Sequence, residues 1–327
     1  MQMLWRRLSL ATLIAAALVA AGLSQARAQD YPNRPITLIV PFPPGGSTTV
    51  MARNVADKLS VVLGQQIVVD NRGGAGGTLG TRAVAKSAPD GYTIGLGYTG
   101  TLSIAPSLYT NTGYDPRKDF APIAMIGTAP SVMLVHPSVP AKTVAEFIEY
   151  AKKASPQLTY GSPGAGTVNH LSSEMLASAA GIKLTHVPYK GSGPVMNDLI
   201  GGHIPMGFAP IPVALGNVQG GKLRGLAVTS PKRSSLLPEL PAVAETLPGF
   251  EVALRYGLVA PAGTPPAIIA KLNKALNELL ASDEVKKRIA AEGAEPLSGT
   301  PADYAADIDK EEKKWAGVVK GLGLTPK

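Results

Sequence analysis

Four segments combine glycine with small hydroxyl residues: 43–49, 98–103, 161–170 and 189–194. Each follows a predicted strand. A helix beginning just after such a loop offers unpaired backbone N–H groups and a partial positive charge. Glycine lets a ligand approach the backbone closely, and Ser and Thr add hydroxyl donors. The chemistry available is therefore reversible grip on an anion such as a carboxylate. One such loop alone is an ordinary connection between strand and helix. Four of them in two blocks point to a shared anion site.

Other chemistries find little support. Gly95-Leu96-Gly97-Tyr98-Thr99-Gly100 has the spacing of a dinucleotide fingerprint, but it follows the third strand, and no acidic residue ends a following strand about 20 residues on. Gly216–Lys222 has the spacing of a phosphate-binding loop, yet Leu223 stands where Ser or Thr is required. No G-x-S-x-G nucleophile motif occurs. His136, His170, His186 and His203 lack metal-ligand spacing. His170 reads either as a donor at a helix start or as a packing residue. No cofactor and no metal are expected.

The elements that must position these loops alternate. Ile36–Val40, Ile67–Val69 and Tyr92–Leu96 read as strands, and helical spacing follows the first two. This rhythm is βαβ, hence a parallel sheet. A second block begins near Ala129. It has strands at 132–135, 158–160, 183–187, 206–209 and 223–228, with helices predicted over 168–180 and 194–200. Thr143 with Glu146 matches a capping box. Near the end, Ile268, Leu272, Ala275, Leu276 and Leu279 share one helical face, and Thr300-Pro301 opens a charged helix.

Composition agrees with many tight loops. The chain of 327 residues has 36 Gly, 29 Pro and only 17% charged residues. Zero Cys excludes disulfide frameworks, thiol nucleophiles and Fe–S sites. Aromatics are only 5%, which argues against a nucleic-acid platform despite the net charge of +8. Arg6-Arg7, the uncharged run Leu8–Leu23 and Ala26-Arg27-Ala28 form the three parts of a secretory signal. Residues 1–28 are thus expected to be removed after Ala28. The remaining chain, with a net charge of +5, would be exported to the periplasm.

Several motifs carry a resemblance. Val40-Pro41-Phe42-Pro43-Pro44-Gly45-Gly46-Ser47, Asn71-Arg72-Gly73-Gly74-Ala75-Gly76-Gly77 and Ala88-Pro89-Asp90-Gly91-Tyr92-Thr93 resemble the signatures of Bug-type receptors. These are the extracytoplasmic solute-binding subunits of tripartite tricarboxylate transporters. His186–Gly191, Leu226–Ser230 and Leu240–Glu245 are similar to later motifs of that family. The resemblance runs from Tyr31 to about Leu324.

The resemblance implies an α/β, two-lobed type II periplasmic binding protein, a Venus flytrap with mixed, mostly parallel sheets. Lobe 1 would comprise 29–128 and 231–327, and lobe 2 would comprise 129–230. The chain would cross near 126–130 and near 228–232. By motif, Phe42, Pro44, Gly45, Gly46, Ser47 and Thr49 would hold a carboxylate, with Tyr98, Thr99 and Thr101 lining the same lobe. Ser162, Thr167, Asn169, His170, Tyr189, Lys190 and Gly191 would face them, with Phe208 and Ala209 at a strand end. Catalytic residues are not expected.

Two departures from the family pattern remove negative charge. Thr48-Thr49 stands where the family commonly has Asp, and Ala209 follows Phe208 where Asp is frequent. The expected ligand is then an acid without an ammonium group, such as a dicarboxylate. Expected partners are that carboxylate and the membrane permease subunits, with no nucleic acid, and a monomer is expected. A periplasmic sensor reporting to a histidine kinase stays open as an alternative, as does a nucleotide-dependent enzyme.

Overall fold

A computed structural model describes residues 31–291 and 293–324. The expected signal segment 1–28 lies outside the described residues. The first block runs β1 (Ile36–Val40), α1 (Ser47–Leu63), β2 (Ile67–Asn71), α2 (Thr78–Ala85), β3 (Thr93–Tyr98) and the short α3 (Ala105–Leu108). The long strand β4 (Phe120–Val135) leads into α4 (Val144–Lys153), β5 (Thr159–Ser162), α5 (Val168–Ala180) and β6 (Thr185–Pro188). Then come α6 (Ser192–Ile200), β7 (Met206–Pro210), α7 (Ile211–Gln219) and β8 (Arg224–Val228). The chain finishes with β9 (Ala253–Pro261), α8 (Pro266–Ala281), α9 (Asp283–Ala291), β10 (Glu295–Pro296) and α10 (Pro301–Gly321).

Helix boundaries follow local chemistry. Thr167 caps α5 by accepting from the His170 N–H, and Gly181 ends it at φ +62°. Thr300 and Asp303 cap α10 reciprocally, with Pro301 in the first turn. At α4, Thr143 accepts from the Glu146 N–H as expected, but the Glu146 carboxylate takes the Lys142 N–H instead of Thr143's own.

Parallel pairing holds within each block: β1 with β2 and β3, and β5 with β6 and β7. Every pair that involves β4 or β9 is antiparallel. Strand β4 belongs to both sheets. Its residues Phe120–Pro130 run beside β9, and Ser131–Val135 run beside β7 and β8. The switch falls between Pro130 and Ser131. Buried Ile36, Leu38, Ile94, Leu258 and Leu272 belong to a main core that also takes in Phe147, Tyr160, Leu171 and Met206 of the second block. Val132, Leu134, Val195, Leu199 and Ile211 form a separate cluster beside the second sheet.

One side chain ties the crossing together. Thr229 is fully buried; its hydroxyl accepts from the Ser131 N–H at 2.8 Å and donates to the Val252 carbonyl at 2.6 Å. Its backbone N–H donates to Ser131 O, and its carbonyl accepts from Val252 N–H. Thr229→Val keeps the shape and strands one buried donor and one buried acceptor. It should lower stability by about 2 kcal/mol, read as a fall in thermal midpoint.

Candidate functional site

The chain leaves β1 at Val40 and reaches α1 through Phe42–Gly46. Phe42 packs edge-on against Tyr98, with ring centroids 5.3 Å apart. Gly45 turns the loop at φ +93°, a conformation that favours glycine. Gly46 is the N-cap and offers no side chain to the helix end. The N–H groups of Thr49 and Val50 reach the Gly46 carbonyl. Those of Ser47 and Thr48, at the first two helical positions, have no acceptor within the helix. Asn71 at the end of β2 fixes this loop: its amide donates to Phe42 O at 2.7 Å and to the Thr49 hydroxyl at 2.9 Å. Thr49 therefore faces β2, while Thr48 lines the cavity between the blocks.

The second block presents the start of α5. The Ser162 hydroxyl bonds both backbone groups of Gly164 and lies 2.6 Å from His186 Nε2. His170 Nδ1 lies 3.4 Å from the Gly166 nitrogen and accepts from its N–H. The rings of His170 and His186 lie 4.3 Å apart, and Tyr160 stacks on His186 at 4.9 Å. Together these groups set the course of 161–167. The Thr167 hydroxyl donates to Gly164 O at 2.8 Å. The Asn169 side chain donates to Phe208 O, joining α5 to the end of β7.

Among the residues expected at the site, Phe42, Ser47, Tyr98 and Asn169 line this cavity. Thr48, Pro163, Ser192, Pro210 and Leu254 line it as well; of these the sequence pointed only to Thr48, as a departure from the family pattern and not as a contact. Ser192 opens α6 directly after Gly191, which sits at φ +107°. The remaining expected residues surround the cavity without lining it. Pro44 and Gly45 are exposed beside it, and Lys190 is exposed too. Thr99 bonds the Arg255 backbone, and Thr101 bonds Tyr98 O. The Tyr189 hydroxyl donates to Asp198 at 2.6 Å; desolvation, and then that carboxylate, push the phenol up to about 12. Phe208 stacks on Phe250, and Ala209 belongs to the core of the second sheet.

The two blocks meet across this cavity. A Cβ on Gly46 would lie 3.5 Å from Ser192 Oγ, one on Gly191 3.1 Å from Pro43, and one on Gly76 2.4 Å from Ala165 O. The cavity left between them is about 10 Å3, roughly the space of one water molecule. The cleft is thus shut in this conformation. A larger groove of about 600 Å3 lies at the strand crossing, between 230–236 and 293–296. It gathers none of the helix starts described above.

Among the described residues, no charged side chain lines the shut cavity. Its polar surface consists of hydroxyls, one amide and helix starts. Burial raises the Tyr98 phenol far above its ordinary value, so Tyr98 remains a neutral donor. Ser162 and His186 do not form a working nucleophile–base pair at this surface, because Ser162 is fully buried and outside the lining. Among the described residues no cluster of His, Asp and Glu could hold a metal ion.

The profile of the tripartite tricarboxylate transporter family receptor matches residues 51–324. The chain belongs to that family. It is 40% identical to the protein BugT of Bordetella pertussis (strain Tohama I) over 312 residues, covering 95% of each chain. The structure of the periplasmic binding protein BugD superposes with a TM-score of 0.88 at 38% identity, covering 91% of this chain and all of that one. Rpa4515 of R. palustris, solved with adipate, gives 0.89 at 38% identity with the same coverage. Fold and family are those of two-lobed periplasmic solute-binding receptors, not of enzymes. No helix among the described residues is long and apolar enough to cross a membrane.

Proposed function

We propose that this receptor captures a small dicarboxylate in the cleft between its lobes and delivers it to membrane permease subunits. One observation carries the reading. The start of α1 from one lobe and the start of α6 from the other face a single cavity whose lining holds no charged side chain. Backbone N–H groups and hydroxyls then supply the recognition, and a carboxylate suits them. An ammonium would find no carboxylate partner there. Binding of adipate by a 38% identical relative supports the same class.

In this reading 29–128 and 231–327 form lobe 1, and 129–230 forms lobe 2. The assignment is supported by the sheet switch at Pro130/Ser131 and by the Thr229 ties. The exported form would lose residues 1–28 and act in the periplasm as a monomer. Ser47, Thr48 and Tyr98 would contact the ligand from lobe 1, and Asn169 and Ser192 from lobe 2. Closure would bury the ligand and create the composite surface that the permease reads.

Calorimetric titration tests the ligand class. Four- to six-carbon dicarboxylates are expected to bind, with aspartate and glutamate at least about tenfold weaker, the factor for one unpaired charge left at the cavity. Tight aspartate or glutamate binding with no response to diacids would sink the proposal.

A further inference from the structure

Two phenol groups of the first block reach over the cleft to the loop that opens α5. Tyr98, at the end of β3, accepts from the Val168 N–H at 3.2 Å. Tyr109, just past α3, donates to the Ala165 carbonyl at 2.8 Å. The loop they grip is bare backbone: Gly164 and Gly166 sit at φ +138° and +76°. A Cβ on Gly166 would stand 3.1 Å from the Tyr109 ring, so ring and backbone are in direct contact. Gly76 leaves the space that Ala165 O occupies. Tyr98 belongs to the cavity lining, and Tyr109 does not. Neither bond needs a ligand.

We propose that Tyr98 and Tyr109 form a latch that shuts the lobes before any ligand is present. Each hydroxyl satisfies a backbone group of α5 or its approach loop that would otherwise meet water in the open form. The Val168 N–H is the first of α5, so Tyr98 occupies the helix end that faces lobe 1. The latch sets the fraction of ligand-free molecules already closed.

Small-angle scattering of the ligand-free protein tests the latch directly. The comparison set is wild type, Tyr109→Phe, a Tyr98→Phe/Tyr109→Phe double variant, and Tyr114→Phe as control. Tyr114 donates to Thr101 O at 2.7 Å within the first block, so its loss costs a buried hydrogen bond without crossing the cleft. Wild type and Tyr114→Phe should share the smaller radius of gyration, and the double variant should be larger with unchanged circular dichroism. Tyr109→Phe alone should fall between them. Equal radii for wild type and the double variant would overturn the latch. The scattering needs no ligand, so it decides the latch whatever the receptor binds.

Discussion

Thr48→Asp is expected to lower dicarboxylate affinity by about a hundredfold or more while leaving the protein folded. Thr48 is 4% exposed, lines the cavity and occupies the first turn of α1, which carries no acidic residue. An aspartate there would sit beside the unpaired N–H groups and the positive helix end, so it should not destabilise the helix. It would fill from within the role that a ligand carboxylate fills from outside. Two like charges about 4–6 Å apart at an effective dielectric near 20 repel by about 3–4 kcal/mol. Ligands carrying an ammonium should gain on diacids in this variant. Thr49→Asp should behave differently, because Thr49 accepts from Asn71 and lies near the Pro43 carbonyl. Its cost should appear in thermal stability before it appears in ligand choice. Titrating both variants against diacids and aspartate checks the pair; equal loss of diacid affinity in each would contradict this geometry.

Gly76→Ala should prevent closure. The added Cβ would lie 2.4 Å from Ala165 O, which is in the second block. Backbone oxygen cannot turn aside as a flexible side chain could. The position also has φ +64°, which costs a non-glycine residue about 1–2 kcal/mol in either conformation of the lobes. The two effects separate by measurement. Thermal denaturation reads the backbone cost as a modest fall in midpoint. Ligand titration reads the clash, which exists only when the lobes are shut, as at least about a tenfold loss of affinity. A variant with wild-type affinity would show that Gly76 and Ala165 do not meet in the bound form.

Much of this geometry was legible in the residues. The helix expected after the Gly161–Thr167 loop, at 168–180, is α5, and the Gly-rich loops lie where strands hand over to helices. The crossing strand was harder to read. Within Phe120–Val135 only 132–135 was recognised, because Pro122, Gly127 and Pro130 break the pattern of a strand. The protein accommodates two of these breaks with register shifts at 122/124 and 125/127. Strand β9 escaped for a related reason: Gly257 interrupts its alternation, and it must be small because Tyr304 packs against that backbone.

The site was legible by loop but not by residue. Residues 43–49 were read as loop, whereas α1 begins at Ser47. That offset hides which of two adjacent threonines faces the cleft. Only the Asn71 bonds, made by a residue 22 positions away, show Thr49 turned toward β2. The resemblance implied Lys190 in the wall facing the first block, yet its side chain lies outside the lining. Ser192 was placed in a loop before the helix, whereas it is the first helical residue. Tyr109 carries no motif at all. Its partner is a carbonyl 56 residues distant, which no local pattern can announce.

The central claim is that helix starts from two lobes, without a charged side chain, recognise a carboxylate at each end of a small diacid. Titration of the wild-type protein with three- to eight-carbon diacids, each beside its neutral diamide, tests this most directly. The account predicts that at least one diacid binds and that its diamide, matched in shape, binds about a hundredfold more weakly or not at all, the loss expected when charge-assisted hydrogen bonds become neutral ones. A diamide that binds as tightly as its diacid, or a protein that responds to no diacid in the series, would contradict it.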